Sequence, residues 1–384
     1  MKKTNKQRVK PTNAAVTNPK KDDKSKKIRK VILRTSLSPG DLIMLSAAIR
    51  DLKIAHSNIL VDVRTAVPDM WDNNVYLTRI DDKDPEAEII DAEYPLINSS
   101  NSKPYHFIHG YRFFLEEKLG LKIPQGDFKG YIPISDQEKA WMNQIQEMGI
   151  EERFWLLFSG GKWDYTAKWW NPEEYQKVVD HFKDKVLFVQ CGEKNHYHPK
   201  LDKVINLIGK TNTRQLIRLM YHAAGVVCPV TFAMHLARAV ETPRKDAMFR
   251  PCVVIAGGRE PTHWESYPNH KFLHHVGALE CCEQGGCWRS RAFELGDGDE
   301  KDKSLCLEPV DLNKKILPPN TKKEVDLKIP KCLHMITHKH VIEAIESYYE
   351  GGVVKYGEGW NGVQSKLNKE KPQNKPRDFT DVNI

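Results

Sequence analysis

Cys228-Pro229-Val230-Thr231-Phe232-Ala233-Met234-His235-Leu236-Ala237 carries the strongest chemical signal in the chain. The apolar run Gly225-Val226-Val227 reads as a buried strand that Pro229 stops, and after Thr231 the apolar spacing turns helical. A strand that opens directly into a helix aims several free backbone N–H groups at one point, which suits a phosphate or diphosphate. Thr231, Phe232, Ala233 and His235 are the residues placed to line that point.

Other candidates follow strand ends. Gly40-Asp41 sits where a first strand hands over to a first helix; a carboxylate there can act as a general base on an incoming hydroxyl, or simply cap the helix. In Gly160-Gly161-Lys162-Trp163-Asp164-Tyr165-Thr166-Ala167-Lys168-Trp169-Trp170 the glycines permit close backbone approach to a ligand. Lys162 and Lys168 there could neutralise a leaving diphosphate, and Thr166 joins them on the donor side. The alternative is a surface loop whose tryptophans pack inward. Glu193, after Cys191-Gly192, could accept from ribose hydroxyls or stand in water. His196 and His198 nearby have no partner at a metal-binding spacing. Arg259 and His263, in Gly257-Gly258-Arg259-Glu260-Pro261-Thr262-His263-Trp264, could reach an anionic acceptor or the diphosphate; the alternative is an Arg–Glu pair that holds a loop. Cys282 (or Cys281 as its substitute), Cys287, Cys306 and Cys332 offer four thiolates, enough for a structural zinc or iron site that cross-links loops, or else free thiols.

These residues need a scaffold. Lys30–Arg34 and Ile59–Val63 read as strands around a helix from Asp41, a βαβ opening that implies a parallel sheet, with Glu88–Ile90 a further short strand. His106–Leu119 reads as a helix ended by Gly120, and Ser135-Asp136-Gln137-Glu138 as a capping box. A second α/β unit runs through strands at Trp155–Phe158, Val186–Val189, Val204–Leu207, Gly225–Val227 and Cys252–Ala256. Its helices fall at Pro172–Phe182, Thr213–His222 and Ile336–Tyr349. The expectation is two successive α/β domains, 30–150 and 151–350, the second with a Cys-rich insertion at 281–332, joined by a linker near 135–152 around a cleft.

The net charge of +8 is a local property. Residues 1–30 hold twelve Lys/Arg against two Asp, so the remainder is close to neutral. Residues 1–29 read as a disordered basic tail, either solubilising or docking to an acidic surface such as nucleic acid, anionic lipid or lipopolysaccharide phosphate. Residues 351–384 read as a second flexible tail. No apolar run approaches a membrane span, and no apolar core follows the N-terminal charges. The expected location is the cytoplasm, with peripheral contact at the inner membrane face as an option. Eight cysteines in such a chain do not form a disulfide framework, and Cys191, Cys228 and Cys252 lie in strand-like runs.

With these residues quoted, the chain resembles glycosyltransferase family 9, the ADP-heptose:lipopolysaccharide heptosyltransferases, over residues 30–345. The likeness is best at Gly40-Asp41, Lys168-x-Trp170 with Pro172-Glu173-Glu174, Gly192-Glu193 and His235-Leu236. It implies the GT-B fold: two Rossmann-like domains, acceptor on the first and nucleotide sugar on the second. It also implies inverting transfer without a catalytic cofactor, Asp41 as base, Lys168 near the donor phosphates and Glu193 near the nucleotide. The implied donor is a nucleotide-diphosphate sugar, ADP-heptose first, and the acceptor a glycan, lipopolysaccharide or protein. Where the family often has Asp-Thr-Gly-Leu-Ser-His-Leu, this chain has Val230-Thr231-Phe232-Ala233-Met234-His235-Leu236, so an acidic donor contact is missing and the turn is bulkier. The cysteine segment is similar to an accessory metal site in the branch that heptosylates autotransporter proteins. Two rival readings stay open: a nucleic-acid-modifying glycosyltransferase, and a non-catalytic nucleotide-sugar binder on the same scaffold.

Overall fold

The computed structural model describes residues 27–93, 99–243, 249–319 and 321–356. The basic stretch 1–26 and the residues beyond 356, assigned above to tails, lie outside the described residues.

The first parallel sheet is small. Val31, Ile32 and Leu33 make the buried centre of β1 (Arg29–Arg34), which pairs in register with β2 (Ile59–Arg64) on one side and β3 (Ala87–Asp91) on the other. Between β1 and β2 runs α1 (Pro39–Ala55). Its start is set by Ser38, whose backbone N–H and hydroxyl both donate to Asp41 Oδ2, at 3.1 and 2.8 Å, with Pro39 preset for the first turn. Every residue of α1 from Gly40 to Leu52 is buried, the mark of a helix covered on all sides. The expected helix over 106–119 is in two pieces: a 3₁₀ turn at Phe107–His109, then α2 (Gly110–Leu119), ended by Gly120 in the left-handed region. The expected linker holds two short capped helices, α3 (Asp136–Ala140) and α4 (Gln144–Glu147).

The second sheet has six parallel strands: β4 (Phe154–Leu157), β5 (Leu187–Gln190), β6 (Ile205–Asn206), β7 (Gly225–Pro229), β8 (Cys252–Gly257) and β9 (His270–His274). Their order is β6-β5-β4-β7-β8-β9, so the winding reverses between β4 and β7. Ligands of open α/β sheets bind outside the carboxyl ends of the strands at that reversal. The two central strands are held close by Gly225, where a Cβ would lie 2.5 Å from the Trp155 ring. Pro229 does not stop β7 ahead of itself; it is the last residue in register, opposite Ile255. The helices are α5 (Pro172–His181), α6 (Thr213–His222), α7 (Phe232–Ala239), the single turn α8 (Thr262–Glu265), and, at the end of the chain, α9 (Lys331–His334) and α10 (His338–Glu350). α10 begins two residues later than the apolar spacing predicts, because Thr337 caps it.

Between β9 and α9 lies an antiparallel hairpin, β10 (Pro309–Ile316) and β11 (Val325–Pro330). Its buried Leu327 packs with Ala292, Phe293 and Leu295 against Trp169. The tryptophans of the 163–170 segment thus pack inward, and Trp169 stacks on Tyr197 with ring centroids 4.3 Å apart. One apolar cluster runs from the small sheet through α1 and α7 into the large one, so the two sheets meet through these helices. The buried Arg250 guanidinium donates to five carbonyls, those of Tyr221, Ala223, Ala237, Val240 and Glu241, and so ties together the ends of α6 and α7.

Candidate active site

The turn from β7 to α7 has the shape expected of an anion site. Thr231 is the N-cap of α7 in extended conformation, yet its side chain caps no amide; Oγ1 donates instead to Pro229 O at 3.4 Å. The first-turn N–H groups are therefore not occupied by a capping side chain. Lys168 stands beside them. Its Nζ donates to Val230 O at 3.0 Å and pairs with Glu260 Oε1 at 2.7 Å. Burial alone would raise the Glu260 carboxyl, but Arg259 and Lys168 outweigh it and hold the group below its ordinary value.

The start of α1 abuts this turn. A Cβ on Gly40 would lie 3.3 Å from His235 Cδ2 and 3.6 Å from Phe232 Cα, so the missing side chain is what allows the approach. Asp41, with 5% of its surface exposed, therefore directly follows the residue that meets the β7–α7 turn, although 190 residues separate it from Thr231 in sequence. His235 is buried with it: Nδ1 is 2.9 Å from Tyr267 Oη, and Nε2 lies 3.3 Å from Glu265 Oε2. Tyr267 Oη in turn donates to Met44 Sδ in α1 at 3.3 Å. His106 closes this polar knot; burial first, then the neighbouring His235, pushes it down to about 3. Tyr111 is raised by burial and then by the Asp41 charge, which places its phenol within the field of that carboxylate.

Several candidates are not brought to this point. Thr166 is fully buried and its Oγ1 accepts from Ala292 N at 2.8 Å, so it anchors the chain after Cys287. Arg259 is spent on Glu260 and on Arg289 O at 2.6 Å, between the rings of Tyr165 and Trp288. This is the loop-holding pair, and a guanidinium so engaged is not poised for an acceptor. His263 contacts Ser100 O at 2.7 Å. Glu193 is exposed and accepts from the backbone and side chain of Asn195 at 2.9 and 3.1 Å; Lys162 is exposed just before a 3₁₀ turn. The Gly160-Gly161 pair makes room for protein rather than ligand: Gly161 and Tyr197 exchange backbone hydrogen bonds at 3.0 Å, and a Cβ on Gly160 would strike the Tyr197 carbonyl. Ala233 is buried in α7, and Phe232 is half-buried against the core.

The cysteines do gather, around the end of β8. A Cβ on Gly258 would lie 3.0 Å from Cys282 Sγ, and one on Gly257 3.1 Å from Cys332 Sγ. Cys287 N donates to Gly258 O at 3.3 Å. Cys281, Cys287, Cys306 and Cys332 all border one small cavity. Burial raises the thiols of Cys287, Cys306 and Cys332, with Cys332 pushed up to about 12, and their neighbouring thiols add to the rise. Among the described residues no three His, Cys, Asp or Glu side chains are grouped so as to hold a metal ion.

Glu260, Glu265, Tyr267 and Tyr111 are site neighbours that the sequence reading did not single out. Glu260 was visible only as one half of an adjacent Arg–Glu pair. Tyr267 and Tyr111 carry no local signal, because only the packing of α1 against the second sheet brings them in.

A reversal-wound six-stranded parallel sheet packed through helices on a second, smaller parallel sheet has the architecture of the GT-B fold. Residues 93–251 match the family model described as Glycosyltransferase family 9 (heptosyltransferase), so the resemblance read from the sequence holds. Among solved structures the chain is similar to a glycosyl transferase family 9 protein from Veillonella parvula, with 14% identity, covering 85% of this chain and 98% of that one at a TM-score of 0.54. It is also similar to the iron-containing dodecameric glycosyltransferase TibC from enterotoxigenic E. coli, with 16% identity, covering 85% and 77% at a TM-score of 0.53. The complex of TibC with ADP-D-beta-D-heptose matches at 15% identity, 85% and 78% coverage and a TM-score of 0.54. At these identities the structural likeness speaks for the fold. No curated protein sequence matches. Among the described residues no helix is long and apolar enough to cross a membrane.

Proposed function

We propose that this protein transfers a heptose or related sugar from an ADP-type nucleotide-diphosphate sugar to an acceptor hydroxyl, with inversion and without a catalytic metal. The observation that supports the reading is the approach of Gly40, next to Asp41, to the first turn of α7, with Lys168 bonded to Val230 O just before that turn. Asp41 takes the acceptor hydroxyl proton as the acceptor oxygen bonds to the anomeric carbon. The bond from that carbon to the diphosphate oxygen breaks, its electron pair staying on the leaving group. Thr231, the first-turn amides of α7 and Lys168 stabilise that charge. The heptose and the ADP follow from the family model and from the sugar bound by TibC. Glu193 and Lys162 belong at the outer rim of the donor side, and a glycan, lipopolysaccharide or protein is the acceptor class. The site faces the cytoplasm, where activated sugars are made.

The test is a thermal-shift and ADP-release screen across nucleotide sugars. A ligand that binds only the folded state raises its stability. ADP-heptose should raise the melting temperature more than UDP- or GDP-sugars do and should release ADP. A rise in melting temperature with no ADP released from any donor would favour the non-catalytic binder, and silence in both readouts would overturn the transferase reading.

A structural metal is the second reading, supported by the residue types of Cys282, Cys287, Cys306 and Cys332, with Cys281 as substitute, and by their gathering near the end of β8; the described thiols are not drawn into a ligand cluster, so binding would have to pull them together. Four soft donors suit zinc or iron in kind and number, and TibC is an iron-containing relative in fold. Raised thiols must give up protons on binding, so uptake should strengthen as pH rises. The ion would cross-link the 281–332 segment and take no part in transfer. Elemental analysis should find about one zinc or iron per chain, and removal by a chelator should lower the melting temperature while ADP still binds. Metal well below one per chain in protein purified without chelator would overturn it.

A further inference from the structure

Apart from the contact of Gly40 with α7, a second tie joins a loop that follows β3 of the small sheet to loops that follow β8 and β9 of the large one. Asn101 follows β3 on the small-sheet side. Its Nδ2 donates to Gly286 O at 2.9 Å, and its Oδ1 accepts from Gly286 N at 3.1 Å and from Trp288 Nε1 at 3.2 Å. The side-chain amide thus pairs with both backbone groups of one residue, Gly286, as a residue of a neighbouring antiparallel strand would. The adjoining residue repeats the contact: Ser100 O meets His263 Nε2.

The far side of the tie is shaped for it. Gly285 has φ +132°, and a Cβ there would lie 2.9 Å from Asn101 Cγ. A Cβ on Gly286 would strike the Arg259 carbonyl and lie 2.6 Å from Pro261 Cδ. Cys287 N and Trp288 N donate to Gly258 O and Arg259 O, at 3.3 and 3.0 Å, which fixes this segment to the end of β8. Rings bridge the same gap: Phe107 stacks on Trp264 at 5.2 Å, and Trp264 lies 6.4 Å from Trp288.

We infer that Asn101 is a positioning residue that locks the carboxyl edge of the small sheet to the Cys282–Trp288 segment, and so sets the distance between Asp41 and the donor turn. The inference rests on the transferase reading for its kinetic consequence but not for the tie itself. Asp41 and Asn101 follow neighbouring strands of one three-stranded sheet, while the donor turn and Gly257-Gly258 follow neighbouring strands of the other. The apolar cluster through α1 and α7 joins the halves, and the Asn101 tie adds a directional hydrogen-bonded contact at a second place on the seam. The cysteine segment thereby acquires a task at the cleft, since it holds Gly286 where Asn101 can grip it. In a reaction that needs near-attack alignment, a displacement of about 1 Å costs about 10²-fold.

The test compares the full chain with Asn101→Ala, and with Ser102→Ala as a local control. Amide exchange of residues 284–290 should quicken at least tenfold in Asn101→Ala, and the Trp288 indole N–H resonance should move, with neither change in Ser102→Ala. The dissociation constant for ADP should stay within twofold. With ADP-heptose as donor and water as acceptor, kcat should fall about tenfold at unchanged KM. Unchanged exchange at 284–290, or a parallel loss of ADP affinity, would overturn the inference, because the tie would then be absent or Asn101 would belong to the donor site. If wild-type protein binds no ADP and consumes no ADP-heptose, the transferase reading fails, and the exchange and indole measurements alone decide the tie.

Discussion

Asp41→Asn is expected to lower turnover by about 10²–10⁴-fold while leaving the affinity for nucleoside diphosphate within about twofold, the loss general-base catalysis supplies. The amide keeps an oxygen that can accept from the Ser38 N–H and hydroxyl, so the cap on α1 survives and the melting temperature should hold. The variant therefore separates the two roles the carboxylate can have. Asp41→Ala, by contrast, removes both. An Asn variant with wild-type turnover would reduce Asp41 to a helix cap and send the search for a base to another buried carboxylate of this junction, Glu265, since Glu260 is held by Arg259 and Lys168.

Lys168→Ala is expected to weaken nucleoside diphosphate binding by about 10–100-fold, the range of one charge-assisted hydrogen bond at about 1.5–3 kcal/mol. Its Nζ sits on Val230 O, immediately before the turn, so the charge is delivered to the diphosphate position through a fixed contact. Calorimetric titration with ADP checks it. The variant also leaves the buried Glu260 with Arg259 as its remaining cationic partner, so some loss of stability should accompany the loss of affinity. Lys168→Arg keeps the charge and serves as the control for that second effect. An unchanged titration in a folded Ala variant would remove Lys168 from the donor site.

Much of the scaffold was readable because it is written in local patterns. Val31-Ile32-Leu33, the Ser135 capping box and the apolar spacing of Thr213–His222 each declare their element within a few residues. The β7–α7 turn and Gly40-Asp41 were readable for the same reason: strand-end and helix-start signals adjoin. Elements defined by distant partners were not. β9 is an edge strand rich in histidine, and β10 lies largely exposed, so neither carries a buried-strand pattern. At the site, the errors share one cause. Thr166, Arg259 and the Gly160-Gly161 pair have the residue types of ligand contacts, but the 281–332 segment and the Tyr197 loop, far away in sequence, consume their bonding capacity. Spacing shows what a side chain can do; it does not show which partner reaches it first.

The contact between Gly40 and Phe232 brings the first turns of two helices together. Each such end carries roughly half a positive charge, and like ends repel unless an anion lies between them. Asp41 supplies part of that anion from within α1, and in the proposed reaction a diphosphate would supply the rest. The ligand then acts as mortar in a joint that repels itself when bare, so nucleotide binding should tighten the two halves of the molecule as well as fill a pocket. In the proposed transfer step, a proton taken by Asp41 would remove its share of the negative charge just as the diphosphate gains one. The joint keeps its balance through the reaction, and charge is handed from one side of the seam to the other.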